Sequence, residues 1–423
     1  MPAWHRGCFS SRATCRHQGL AYGNHTPELF PPPAAHTSSS DDVYLKIHLS
    51  EPFRSTIKNL TNQGIPAYCL RALLIIIPVW YYHFGEQLNK PLVVATDHIH
   101  TDAVLALKSV SEFRIAKPVS SASLLDELAE ADVVIVRNPI PAGLFEVATS
   151  LKAVIRHGAG LDMIPVEHAS KAGVLVANVP QVNANAVAEY VVGQMIAMSR
   201  QLPQIEEHFR TSSWEQARTV ALKGLELAQR TVAIVGVGAV GTRVANICTH
   251  GFGMSVLGVH PTRLGTHDGL VTYVSLDEAL SRADYLVLTC PLNASTEKLI
   301  CERELRLMKR GSFVINAARG KVIDTDSLCA AVRDKHIAGA ALDVFETAPL
   351  ERSSPLFEIP EIRLTPHIAG ISTESMRKMS MGAASQAISV LQGAFPEHWV
   401  NRQAREQICA RWASIGNFLT LGT

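Results

Sequence analysis

The sequence carries almost no net charge, pairs none of its cysteines in a CxxC motif and lacks a clear membrane-spanning run. Lys and Arg total 39 against 38 Asp and Glu. That balance leaves no broad field for a nucleic-acid backbone or an anionic membrane surface. The eight cysteines, at 8, 15, 69, 248, 290, 301, 329 and 409, are scattered, and no His cluster stands at ligand spacing. Neither disulfides nor a metal is expected, and the thiols fit a reducing compartment. Cys248, Cys290 and Cys329 lie in apolar stretches and read as buried and inert. The one long apolar run, Leu70–Phe84, contains Arg71 and Pro78 and is shorter than the roughly 20 residues a bilayer span requires. Residues 1–90 read as a leader outside the main fold. Met1–Pro27 has three arginines and no acid, yet no amphipathic helical spacing, and Pro31–Asp42 is rich in Pro and Ser. A cytoplasmic protein with a disordered leader is the expectation, and a mitochondrial presequence is the alternative.

What is present is a long, regular body. A chain of 423 residues, 47% hydrophobic, can bury two cores. From Pro91 onward short apolar runs alternate with helical patterns. Strands are expected at Leu92–Thr96, Asp132–Val136, Leu151–Arg156 and Val174–Val176, with a helix over Ser123–Glu130. A second series follows: strands Ser255–Val259, Tyr285–Thr289, Ser312–Asn316, Gly339–Val344 and Ile362–Thr365. A helix is expected over Asp326–Lys335, and another opens on the capping box Ser275-Leu-Asp-Glu278. This alternation predicts α/β architecture with two doubly wound parallel sheets. Asn183–Arg200, between the two series, is apolar nearly all round and must be buried on more than one side.

The second series opens with Thr231–Gly241, TVAIVGVGAVG. A buried strand runs into Gly236-x-Gly238-x-x-Gly241 and then into a helix. Gly236 permits a tight turn, Gly238 lets a pyrophosphate approach the backbone, and Gly241 lets helix and strand pack closely. The helix N-terminus then offers free N–H groups to the phosphates. Strand 312–316 ends in Ala317-Ala318-Arg319-Gly320, and strand 362–365 ends in Pro366-His367. Strand carboxyl ends border the ligand crevice of such a sheet. There Arg319 is suited to clamp a carboxylate and His367 to move a proton near neutral pH. Alone, the arginine reads as a surface ion pair and the histidine as a satisfied polar group; together, on one nucleotide-binding sheet, they read as catalytic.

The order of the motifs resembles the NAD(P)-dependent D-2-hydroxyacid dehydrogenases. The resemblance rests on Arg156-His-Gly-Ala-Gly-Leu-Asp162, Asn178-Val-Pro180, the AVAEY helix, the glycine turn and Pro291-Leu292. Asn316-Ala-Ala-Arg-Gly320, Ala341-Leu-Asp-Val-Phe345 and Thr365-Pro-His-Ile-Ala-Gly370 complete it. It implies a Rossmann cofactor domain (181–371) inserted in a flavodoxin-like substrate domain (91–180 plus 372–401), a tail over 402–423, and a homodimer. Residues after Asn401 are too few for a further regulatory domain. Position by position, it makes Arg319 the substrate-orienting arginine and His367 the proton donor and acceptor. It also assigns the carboxylate-holding backbone to Gly158, Ala159 and Gly160. Cofactor contacts are implied for Gly236, Gly238, Ala239, Val240, Gly241, Pro291 and Ala317, and for Asp343 at the nicotinamide end. Arg156 has two readings, a contact to a distal substrate group or an exposed ion pair.

Two positions depart from the family pattern. The glutamate that normally precedes the proline of the DVF…P turn, and raises the histidine pKa, is Ala348 here. Glu346, nearby, matches a common non-catalytic glutamate of the same motif. After Val259, where NAD-selective members carry an acid, the chain reads His260-Pro-Thr-Arg263. His260 and Arg263 are therefore expected to face the cofactor ribose, and either NAD or NADP is implied. The expected activity is hydride transfer between that cofactor and a small 2-hydroxy or 2-oxo acid, of the phosphoglycerate or hydroxypyruvate/glyoxylate type. The alternative is a dinucleotide-binding protein with little turnover, on account of Ala348.

Overall fold

The computed structural model describes residues 90–117 and 120–416; the leader and the Leu70–Phe84 run lie outside them. The first sheet is built from β1 (Leu92–Ala95), α1 (Thr101–Val110), β2 (Glu112–Ile115), α2 (Ser121–Ala129) and β3 (Val133–Val136). It continues with α3 (Leu144–Val147), β4 (Ala153–Arg156), α4 (Val166–Lys171) and β5 (Leu175–Ala177). Its order is β2-β1-β3-β4-β5, all parallel. Strands β1 and β3 read LVVA and VVIV because both faces are covered, so every residue is buried. Edge strand β2, EFRI, alternates exposed with half-buried positions. It offers no apolar run and was not expected from the sequence.

The second half runs through α5 (Ala184–Ser199), α6 (Leu202–Thr211), α7 (Trp214–Ala221), β6 (Thr231–Val235), α8 (Ala239–Phe252), β7 (Ser255–Val259) and β8 (Thr272–Tyr273). It then adds α9 (Leu276–Arg282), β9 (Tyr285–Leu288), α10 (Glu302–Leu307), β10 (Ser312–Asn316), α11 (Thr325–Arg333), β11 (Ile337–Leu342) and β12 (Ile362–Leu364). The seven strands lie in the order β12-β11-β10-β9-β6-β7-β8, again all parallel. Strand order reverses between β6 and β9. That switch point opens a crevice at the carboxyl ends, where doubly wound sheets bind ligands. The expected capping box at α9 is half formed. Ser275 Oγ accepts from Glu278 N at 3.2 Å, but the Glu278 carboxylate turns to Arg282 at 2.6 Å.

Helix α5 buries Val187, Val191 and Met195 together with Val244 and Ile234 of the second half. Helix α12 (Thr373–Leu391) brings the chain back to the first sheet, where Ala383, Ala387 and Val390 pack with Val93, Ile135 and Ile155. Residues 402–416 are not the tail expected: after a 3-10 turn they form α13 (Arg405–Ile415), which packs into the same core. Only Ile408 and Trp412 are buried in α13. A stripe of two residues is too narrow to read as an amphipathic pattern. Trp412 stacks on Phe395 with centroids 4.9 Å apart and donates from Nε1 to Lys152 O at 3.2 Å. Trp412→Ala is expected to lower stability by about 3–5 kcal/mol, read as a drop in the denaturation midpoint. An unchanged midpoint would mean that α13 is dispensable to the core.

Candidate active site

Two adjoining cavities occupy the crevice. The larger, about 880 Å³, is bordered by the 156–163 loop, Ala317–Arg319, Asp343 and His367. The smaller, about 510 Å³, is bordered by Gly236, Gly238, His260 and Leu276, and the two share Thr289, Cys290 and Pro291.

The glycine turn fits a dinucleotide. Gly236 has φ +92°, and a Cβ there would lie 2.5 Å from the backbone of Cys290. At Gly241 a Cβ would meet Gly236 O at 2.6 Å, so this glycine serves packing between α8 and β6. A Cβ at Gly238 would meet nothing within 4 Å, and no side chain caps α8 there. That leaves an open cradle at a positive helix end, as a pyrophosphate requires. Val240, Pro291 and Ala317 border the larger cavity; Ala239 borders neither. His260 faces the smaller cavity, whereas Arg263 does not. Its guanidinium donates to Tyr273 Oη at 2.7 Å and lies 3.9 Å from Asp268.

On the opposite wall, the Gly158–Gly160 loop offers fewer donors than expected. Gly158 N already donates to Arg156 O at 2.9 Å. Among the described residues, Ala159 N and Gly160 N meet no acceptor, so the free donors are these two. The loop is shaped by Arg156, whose Nε donates to Gly160 O and whose Nη1 donates to Val136 O and His157 O. The structure thus replaces the exposed ion pair with a backbone staple. Burial, and then the Arg319 and Arg137 charges, lower the Arg156 pKa to about 10. Neighbouring His157 shares a 2.8 Å hydrogen bond between Nε2 and Ser380 Oγ, and burial lowers its pKa to about 4, so it stays neutral.

His367 adopts φ +56°, in the left-handed region. The conformation is imposed by Asp343, a buried side chain at the end of β11. The Asp343 carboxylate accepts from Thr365 Oγ1 at 2.7 Å and from the N–H groups of Ile368 and Ala369 at 2.8 Å each. His367 N donates to Asp343 O at 2.8 Å. Asp343 borders the cavity but is chiefly the anchor of the histidine loop, a role the sequence did not reveal. Desolvation by the cleft walls lowers the His367 pKa; the Arg319 and Arg156 charges act in the same sense, while Asp343 and Asp162 oppose it. Among the described residues no carboxylate hydrogen-bonds the imidazole. Ala348 is exposed, and Glu346 accepts from Thr325 N at 2.9 Å, at the start of α11. Arg319 pairs with Asp162 across the cleft, Nη2 to Oδ2 at 2.7 Å.

Comparison with known proteins agrees with this geometry. Residues 192–369 match the family model described as D-isomer specific 2-hydroxyacid dehydrogenase, NAD binding domain. The D-3-phosphoglycerate dehydrogenase of Methanocaldococcus jannaschii is 32% identical over 314 residues, 73% of this chain and 59% of that protein. The chain therefore spans less than two thirds of that relative's length. The glyoxylate reductase of Korarchaeum cryptofilum is 31% identical over 322 residues, 74% of this chain and 97% of the relative. The solved NADPH-dependent glyoxylate/hydroxypyruvate reductase of Sinorhizobium meliloti superposes with a TM-score of 0.66 at 27% identity, covering 74% of this chain and 98% of that one. A glycine cradle beside a cleft lined by Arg319 and His367, and a relative above 30% identity matched almost end to end, place this chain in the D-isomer specific 2-hydroxyacid dehydrogenase family, with NAD or NADP as cofactor.

Proposed function

We propose that the chain interconverts a small 2-oxo acid and its D-2-hydroxy acid. The observation that carries this reading is the convergence of Arg319, His367 and the free Ala159 and Gly160 N–H groups on one cleft beside the glycine turn. The nicotinamide supplies or accepts the hydride when bound. The chain's residues do the rest: Arg319 and the 159–160 backbone hold the carboxylate, and His367 donates the proton to the carbonyl oxygen during reduction. Arg156 has no carboxylate at ion-pair distance among the described residues. Its charge favours a substrate carrying further negative or strongly polar groups, the glyoxylate, hydroxypyruvate and phosphohydroxypyruvate class. Absorbance at 340 nm with these acids should show cofactor consumption, and His367→Asn should lower reductive kcat/KM by about 10²–10⁴-fold. Cofactor binding without consumption on any of them would favour the rival reading, a dinucleotide-binding protein with little turnover.

That rival rests on Ala348 and on the imidazole that no carboxylate holds. Reduction needs protonated His367, and its pKa lies below the ordinary histidine range. Reductive kcat/KM should therefore fall with rising pH early, before neutrality. Ala348→Glu should move that fall to higher pH and raise reduction at neutral pH by about 10–100-fold; a superimposable pH profile would refute the role given to this position. The smaller cavity presents no carboxylate at the end of β7, and its borders include His260. NADPH should thus be used at least as well as NADH at equal low concentration, and strict preference for NADH would refute this. A homodimer is also proposed. Phe209, Trp214 and Leu222 on and beside α6 and α7 are exposed, and α6 buries none of its residues.

A further inference from the structure

The functional reading above leaves one charged contact in the cleft without a task. Asp162, on the loop after β4, reaches Arg319, on the loop after β10, and so joins the two walls of the site. A guanidinium has five N–H groups in a fixed plane. Here Nε and Nη2 both donate to Asp162 Oδ2, at 2.8 and 2.7 Å, and Nη1 donates to Ala318 O at 2.7 Å. Each terminal nitrogen carries a second N–H with no acceptor among the described residues, and an end-on fork with one N–H from each matches the two oxygens of a carboxylate. Gly160 lies against the same group: a Cβ there would fall 1.9 Å from Nη2. The guanidinium is thereby packed against Gly160, in the same cavity wall as Ala159.

We infer that Asp162 is a positioning residue: it takes the side edge of the Arg319 guanidinium so that the end-on fork is presented to the substrate carboxylate. The inference rests on the proposed activity for its substrate, but its geometry can be tested without turnover. Asp162 and Arg319 are both partly exposed, so the pair adds little to stability, and its effect is one of orientation. If Asp162 instead occupied the place of the substrate carboxylate, its removal would tighten binding. The two roles have opposite signs.

The test compares wild type with Asp162→Asn, Asp162→Ser and Asp162→Glu in the full-length protein. Asp162→Asn should raise KM for the 2-oxo acid by on the order of 10–100-fold while kcat changes less. Affinity for NADPH should be unchanged, which excludes general damage to the fold. Asp162→Glu should recover part of the loss, and in an Arg319→Lys background Asp162→Asn should add nothing further. Calorimetric titration of oxalate into the NADPH-saturated protein reads the same fork independently of chemistry and should show a comparable loss of affinity. Should the Asn variant fail to fold, the Ser and Glu variants carry the same comparison. Unchanged or tighter oxalate binding in the variants would overturn the inference. A wild type whose oxalate affinity depends on Asp162 and Arg319 yet which reduces no 2-oxo acid would overturn the proposed activity instead.

Discussion

The Asp343 carboxylate is the constraint around which the active-site geometry closes. It is buried at the end of β11, and a buried carboxylate without partners would cost several kcal/mol. The chain answers by wrapping the segment after β12 around it. Thr365 Oγ1 and the N–H groups of Ile368 and Ala369 fill its acceptor sites. That wrap carries His367 into a left-handed conformation that a non-glycine residue adopts only when its surroundings over-determine it. Tyr190, on α5, extends the same network with a 2.6 Å hydrogen bond to Thr365 Oγ1. Placement of the imidazole thus follows from satisfying one buried anion.

The opposite wall obeys the same logic with the sign reversed. Arg156 is a largely desolvated cation, and it is satisfied by three backbone carbonyls in place of a carboxylate. Those bonds curl the 157–160 backbone so that Gly158 N is consumed while Ala159 N and Gly160 N stay free. The charge left over does two things. It makes the cleft attractive to an anion, and it disfavours protonated His367. In the proposed reading the second effect goes unopposed at position 348, where the family pattern has a glutamate and this chain has alanine. Glu346 cannot substitute, because its carboxylate is engaged at the start of α11.

How much of this was legible in the sequence depends on whether a feature is local. Strands β7 and β10 were readable residue for residue, because parallel strands buried on both faces appear as unbroken apolar runs. Strands β2 and β8 were not, since edge strands keep polar residues on an open side. The placement of Arg319 and His367 on the cleft was readable because each lies just beyond a strand that doubly wound topology sends to the crevice. The partners of Arg263 were not readable, for a matching reason. Its neighbourhood in sequence pointed to the cofactor, but Tyr273 and Asp268, which engage it, become neighbours only when the segment before β8 folds back. Asp162 stood inside a recognised motif, yet its partner lies 157 positions away, and no spacing rule reaches that far.

The distribution of charge over the two walls has a consequence for how the site works. A fully desolvated Arg319–Asp162 pair would be rigid but would compete strongly with substrate for the same cation. A fully exposed one would leave the guanidinium free to sample many rotamers, and binding would then have to order it. The observed pair lies between these limits: partly exposed, with both donors on one oxygen. On the positioning role inferred for Asp162, the long, flexible arginine is ordered before substrate arrives, while the edge needed for recognition stays open. Pre-organisation of this kind lowers the entropic cost of capturing a molecule as small as a 2-oxo acid, which has few atoms with which to offset it.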